Sequence, residues 1–348
     1  MRNYRDKDYL ESKEGFMFCV VGSVHPEDRL ISYLKYIPSE DGKWRGEEKN
    51  YKRIMRRYTM SNLKNTIQFL EDYPKYILDS SSLDVKISAV PISEIKTHHK
   101  PEEKLEQISE MENPDSLQQK SLDLAHAISE KSKVSLESIG VTGSILLDIH
   151  QPFSDIDLVV YGGENSRKVR KAINDLYKEE DNHFDRFDSE EISEWCTEKS
   201  SQFPISPEEA KIIYERKWGR GIFKNKMFSI YPIKKDREVS INYGDRIYHS
   251  EGLVKIRAIV SDTTESLYIP SIYGLENVDV IEGEETYDIE SVGSYEGFYR
   301  DIAREGEEIE VYGKLEKVID KKKGGDFHQV LVGSFEASGE DYIKPVSP

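Results

Sequence analysis

Residues 140–162 read GVTGSILLDIHQPFSDIDLVVYG, and this stretch decides the fold. A small-residue turn, Gly143-Ser144, is followed after ten intervening residues, 145–154, by the triplet Asp155-Ile156-Asp157. Gly143 permits close backbone approach. The Ser144 hydroxyl, with the amides that open the following helix, forms a grip for triphosphate oxygens. In DIDLVV the alternation of a β-strand points Asp155 and Asp157 to one side and Ile156 and Leu158 to the other. Two adjacent carboxylates repel each other unless a cation neutralises them. Magnesium, with manganese as the alternative, does so through oxygen coordination beside a bound nucleoside triphosphate. Asp155 and Asp157 are therefore the expected metal ligands and catalytic residues. The expected chemistry is in-line transfer of a nucleoside monophosphate to an acceptor hydroxyl.

The surroundings of this stretch read as helices and strands that could carry it. Upstream, Leu117, Leu124 and Ile128 fall at helical spacing. Downstream, Asn165 or Ser166 is placed to cap a helix with Val169, Ala172, Ile173 and Leu176 on one face and Arg167, Lys168, Arg170 and Lys171 around the rest. Ser206-Pro207-Glu208-Glu209 combines a capping serine, a first-turn proline and a capping-box glutamate, and predicts a helix running to about Trp218. It leads into KWGRGIFKNKM, where Arg216, Lys217, Arg220, Lys224 and Lys226 gather positive charge just before the strand MFSIYPI, 227–233. Lys217 and Arg220 join Gly143 and Ser144 as candidate nucleotide-binding residues, Arg220 foremost because glycines flank it. Trp218 at the helix end is expected to pack in a core.

This arrangement of Gly-Ser, helical spacer and Asp-x-Asp on a strand resembles the polymerase-β-type nucleotidyltransferase superfamily. The wider chain, through RDKDYLESKEG at 5–15, KWGRGIF at 217–223 and LVGS at 331–334, looks like an archaeal family of predicted nucleotidyltransferases. The resemblance implies an α/β (α+β) nucleotidyltransferase fold with a mixed sheet, ATP or another NTP as substrate, and magnesium at Asp155 and Asp157. Members of the superfamily usually supply a third carboxylate from a later strand. The expected strand, MFSIYPI, has Ser229 at that place. Asp185 and Asp188 in HFDRFD are candidate substitutes, although acidic surface residues are the simpler reading. A nucleotide- or RNA-binding regulatory module that has lost catalysis is the alternative that Ser229 leaves open.

A chain of 348 residues exceeds one small core. Three domains are expected: an N-terminal α/β domain of unknown role over 1–95, a linker over 96–116 rich in Glu, Lys, Ser and Pro, a nucleotidyltransferase domain over 117–250, and a β-rich domain over 251–348. The first holds two strands, FMFCVVGSV and RLISYLKYI, separated by His25-Pro26-Glu27-Asp28; a helix with Ser61 as cap and Leu63, Ile67 and Leu70 on one face; and the strand VKISAVPI from Val85. In the last, Val254, Ile256, Ala258 and Val260 alternate with Lys255, Arg257 and Ile259, and about five short strands suggest a small OB-like barrel.

The net charge of −17 disfavours a non-specific duplex-DNA coat, so an RNA acceptor would be held locally and salt-sensitively. YKRIMRRY, 51–58, interleaves basic and aromatic residues in the manner of a single-strand binding surface, or else of an amphipathic packing element. The longest apolar stretch, Phe16 to Val21, is too short to span a bilayer, and a soluble cytoplasmic protein without membrane partners is expected. Cys19 and Cys196 read as buried free thiols. His98-His99 and His150 lack companions at metal-binding spacing, although His150 lies between the turn and the Asp pair.

Overall fold

The computed structural model describes residues 2–55, 60–179, 183–283 and 288–346, with the backbone alone for 60–62. The role of Ser61 as a cap and residues 56–58 of YKRIMRRY thus lie outside the described residues.

The N-terminal part forms an eight-stranded sheet. Met17–Val20 and Arg29–Pro38 pair antiparallel with Cys19 opposite Tyr33, as the polar segment at 25–28 predicts. Arg29–Pro38 also pairs with Asn50–Arg53 and Val85–Pro91. Tyr9–Ser12 joins the other edge of Met17–Val20 and is itself flanked by Ile95–His99. The helix expected around Leu63 spans Met60–Leu70. Segment 96–116 carries most of that last strand and the helix Pro101–Glu110, which buries Pro101, Lys104, Leu105 and Ile108. Glu103, Glu106 and Glu110 face solvent while Leu105 and Ile108, three residues apart, pack into the next core.

The second sheet has the strand order Phe184–Asp185, Arg220–Phe223, Lys226–Ile233, Ile156–Tyr161, Ile139–Val141. Ile156–Tyr161 runs parallel to Lys226–Ile233, with Asp157 opposite Ser229 and Val159 opposite Tyr231. Helices Ser116–Ser132 and Gly163–Leu176 contribute Leu124, Ile128, Val169 and Ile173 to the core that also holds Ile156, Leu158 and Val160. Each such aliphatic side chain stabilises by about 1.5–3 kcal/mol when fully buried. That burial fixes the face of DIDLVV turned inward, and with it the opposite face on which Asp155 and Asp157 stand. Asp115 caps Ser116–Ser132 through the amides of Leu117 and Gln118. Gly163–Leu176 starts earlier than expected, at the Gly162 cap, because the Asn165 and Ser166 side chains donate back to the carbonyls of Tyr161 and Gly162.

The C-terminal part is a hydrogen-bonded ring of five strands. Arg246–Asp262 pairs with Ser271–Glu282, which pairs with Ile289–Ser294. Ile289–Ser294 runs parallel to Asp326–Val332, and Glu308–Asp320 then links that strand back to Arg246–Asp262. Val254, Ile256, Ala258 and Val260 are buried as their alternation predicts. Helices Ser189–Ser200 and Pro207–Arg216 lay Trp195, Ile213 and Tyr214 on the ring's core. No helix among the described residues is long and apolar enough to cross a membrane.

Candidate active site

Gly143 follows the short strand Ile139–Val141 at a backbone φ of 71°, a conformation that favours glycine. A Cβ there would lie 2.6 Å from Asp157 Oδ2, so the missing side chain is what lets the carboxylate approach the turn. The turn and strand are stitched by the Thr142 amide donating to the Asp157 carbonyl at 2.8 Å. Ser144 is buried and lines a cavity, in a helix of one turn, Gly143–Leu146.

Asp155 and Asp157 both line this cavity, as the alternation predicts. Burial and the neighbouring charge of Asp155 push the Asp157 carboxyl up to about 6, while Lys35, Lys7 and a hydrogen bond from Tyr231 act in the opposite direction. The Tyr231 hydroxyl donates to Asp157 Oδ1 at 3.1 Å. Its ring lies between two cations, Lys7 Nζ at 5.0 Å and Arg300 Cζ at 5.1 Å from the centroid. Ser229, directly beside Asp157, occupies the place expected of a third carboxylate and also lines the cavity.

The cavity encloses about 820 Å³ and is walled by all three parts of the chain. That volume is at the upper end of substrate pockets, which run from roughly 300 to 1,000 Å³. Of the cations in 216–226, Arg216, Lys217 and Arg220 line it, and Lys224 and Lys226 do not. Arg220 lies in register with Ser229, and its Nε is buried without a hydrogen-bond partner. Lys217 differs: its ammonium donates to the carbonyls of Arg300, at 2.5 Å, and Gly297, at 3.4 Å. Arg216 binds Glu307, Lys224 binds Asp123, and Lys226 donates to the Pro152 carbonyl. Lys168 and Arg170 of the basic helix pair with Glu164 and Asp301. Trp218 is buried and donates to Asp301, as expected of a core residue.

Asp185 and Asp188 do not reach the site. Asp188 caps helix Ser189–Ser200, and Asp185 sits on the edge strand, paired with Ile222. His150 is bonded to Asp115, at 2.7 Å, and does not line the cavity, and His98 bonds Asp8 at 2.8 Å. Cys19 and Cys196 are free and buried, as expected. Among the described residues no group of three or more His, Cys, Asp or Glu side chains is arranged to hold a metal ion, although Asp6 and Asp301 also line the cavity that holds the aspartate pair.

Sequence reasoning missed Lys7, Lys35, Tyr231 and Arg300. Tyr231 was within reach, since it lies two residues beyond Ser229 on one strand and so shares its face. The three cations come from distant segments and carry no local signal.

Fold and site together define a transferase built on a nucleotidyltransferase domain, and residues 123–218 match the nucleotidyltransferase domain family. The chain belongs to the same family as the uncharacterized protein MJ1086 of Methanocaldococcus jannaschii, with which it shares 31% identity over 345 residues, 98% of each chain. The resemblance drawn from the sequence is borne out in both respects. No solved structure matches the chain.

Proposed function

We propose that this transferase moves a nucleoside monophosphate from an NTP to an acceptor hydroxyl, using a divalent cation, magnesium or manganese, at Asp155 and Asp157. The observation that carries this reading is the Gly143 turn pressed against Asp157, with Asp155 and Ser144 facing the same cavity. The residues fit a hard cation: two carboxylates facing one cavity, one of them pushed up to about 6 by burial and by its neighbour's charge. When bound, such an ion orients the acceptor oxygen toward the α-phosphorus and stabilises the leaving pyrophosphate.

The chain's own groups do the rest. Ser144 and the turn amides hold phosphate oxygens, Arg220 offers its buried unpartnered Nε–H to the same triphosphate, and Tyr231 keeps Asp157 in orientation. Phe153, 62% exposed and edge-on to Trp44 at 5.9 Å, provides an aromatic lip where a base stacks.

RNA is the acceptor we favour. The cavity continues onto the C-terminal ring, where Tyr243, Tyr248, Tyr295 and Arg246 line it, a mixture suited to splayed bases and backbone phosphate. Numbered along the chain, the ring runs 1-2-3-5-4 and back to 1, with strands 3 and 5 parallel, which supports an OB-like reading. In this reading 1–95, 117–250 and 251–348 are three units joined by 96–116, and they share one site in the cytoplasm.

The test is incubation of the purified protein with each labelled NTP, magnesium and total cellular RNA or protein, beside Asp155→Ala and Asp157→Ala. Label transferred with pyrophosphate release, and lost in both variants, is the expected result. Nucleotide binding without transfer across metals and acceptors would instead support the second reading, a non-catalytic nucleotide-binding module, which Ser229 beside Asp157 motivates.

A further inference from the structure

Resting on the nucleotidyl-transfer reading, we infer that the site takes a single divalent ion and that the ammonium groups of Lys7 and Lys35 supply the remaining positive charge at the aspartate pair. The acidic set is short by one: Ser229 stands in register with Asp157, and among the described residues no third acidic side chain completes a metal-binding group. Two ions held side by side are clamped by carboxylates that bridge and flank them, and with only two aspartates a second ion would have to draw nearly its whole shell from substrate phosphate and water.

The N-terminal sheet brings the two lysines to the site. Lys7 has a backbone φ of 68°, a conformation uncommon outside glycine that persists where surrounding contacts enforce it. Those contacts are its amide, donating to the Val20 carbonyl at 3.1 Å, and its carbonyl, accepting from the hydroxyl of Thr142 at 2.7 Å. Thr142 immediately precedes the Gly143 turn, so Lys7 is tied to the catalytic sheet at the point where Asp157 meets that turn. Its ammonium stands over the ring of Tyr231, whose hydroxyl is on Asp157.

Lys35 is 7% exposed, lines the same cavity and donates to the Tyr9 hydroxyl at 2.5 Å. A lysine is rarely buried to this degree without negative charge nearby to balance it. Both lysines line the cavity that Asp155 and Asp157 face. Fixed cations of this kind neutralise the pair without occupying its coordination sites, so a lysine does the electrostatic work of a second ion but cannot bridge oxygens.

The test is manganese EPR on the full chain with a non-hydrolysable α,β-methylene NTP analogue, with the analogue alone and Asp155→Ala as controls. The expected spectrum is that of an isolated protein-bound ion, distinct from manganese on the free analogue. Exchange coupling between two ions roughly 3.5–4 Å apart would overturn the inference and leave nucleotidyl transfer standing. A spectrum identical to both controls would remove the nucleotidyl-transfer reading along with it.

Lys35→Met and Lys7→Met give a second readout. Without nucleotide, each is expected to bind manganese about five-fold or more tightly than the parent, because a like charge near the ligands is gone. A lysine serving only to hold the fold would leave that affinity unchanged or weaken it, and this result in both variants, with melting curves showing them folded, refutes the charge role. Lys7 is the safer variant, being only partly buried.

Discussion

Asp157 and Ser229 stand directly opposite each other on neighbouring parallel strands, Ile156–Tyr161 and Lys226–Ile233. A hydroxyl therefore stands beside the carboxylate that closes on the Gly143 turn, and the acidic half of the site comes from a single strand. The charge around the pair is gathered differently: one stretch of chain supplies both aspartates, and four separate segments supply Lys7, Lys35, Arg220 and Arg300, which line the same cavity.

Asp157 should impose a measurable pH dependence on stability. Folding raises its carboxyl from an ordinary value of about 3.9 to about 6. The sign follows: protonated Asp157 favours the folded chain, so this contribution is fully present below about pH 4 and is lost as pH rises through about 6. In metal-free buffer Asp157→Asn is expected to stabilise the protein by roughly 1–3 kcal/mol at pH 8 and by little at pH 4. Denaturant titrations at the two pH values measure this, and equal effects at both would refute it. Transfer activity should fall on the order of 10³-fold in the same variant.

Tyr231→Phe removes the hydroxyl that favours ionised Asp157. Without it the carboxyl rises further, so the acidic limb of the activity profile should move to higher pH by several tenths of a unit to about one unit. An unmoved acidic limb with reduced kcat would mean that the hydroxyl acts on packing alone.

Gly143→Ala places a methyl group 2.6 Å from the Asp157 carboxylate and forces a φ of 71° on a residue with a Cβ. A loss of about 1–3 kcal/mol of stability is expected, with activity falling by at least about ten-fold beyond what the unfolded fraction explains. Thermal melts beside kcat at a temperature where both proteins are folded separate the two effects.

Arg220→Ala deletes a half-buried side chain whose buried Nε has no hydrogen-bond partner in the protein. Little stability should be lost with that group, whereas KM for the NTP should rise by about ten-fold or more. Nucleotide affinity by calorimetry, with melting temperature as the control, decides whether its partner is the substrate.

Phe153→Ala trims an aromatic side chain that is 62% exposed. Stacking on a base is worth about 1–3 kcal/mol, so NTP affinity should drop while the melting temperature stays within a degree or two. Unchanged affinity for every NTP would place the base elsewhere in the cavity.

Much of the central machinery was legible before folding was considered. Strand alternation puts Asp155 and Asp157 on one face because successive side chains of any extended chain point opposite ways, and the apolar Ile156, Leu158 and Val160 say which face turns inward. The Gly143-Ser144 turn, the capping box at Ser206 and the alternating Val254–Val260 strand are likewise local, since a cap or a pleat depends on residues a few positions apart. Ser229 in the place of an expected acid was also visible, because strand Lys226–Ile233 announces itself by its β-branched and aromatic residues.

The tertiary structure alone decided what surrounds that strand. Which cations in 216–226 are already engaged depends on distant partners: Glu307 takes Arg216, Asp123 takes Lys224, and the carbonyls of Gly297 and Arg300 take Lys217. His150 is held by Asp115, from another segment, for the same reason. Lys7 and Lys35 enter the site only because Thr142 and Tyr9 hold them there across the packed N-terminal sheet. The physical reason is range: hydrophobic periodicity and capping act within a few residues and are written in the local sequence. Electrostatic pairing acts through space, and its partners are chosen by the packing that brings distant segments together.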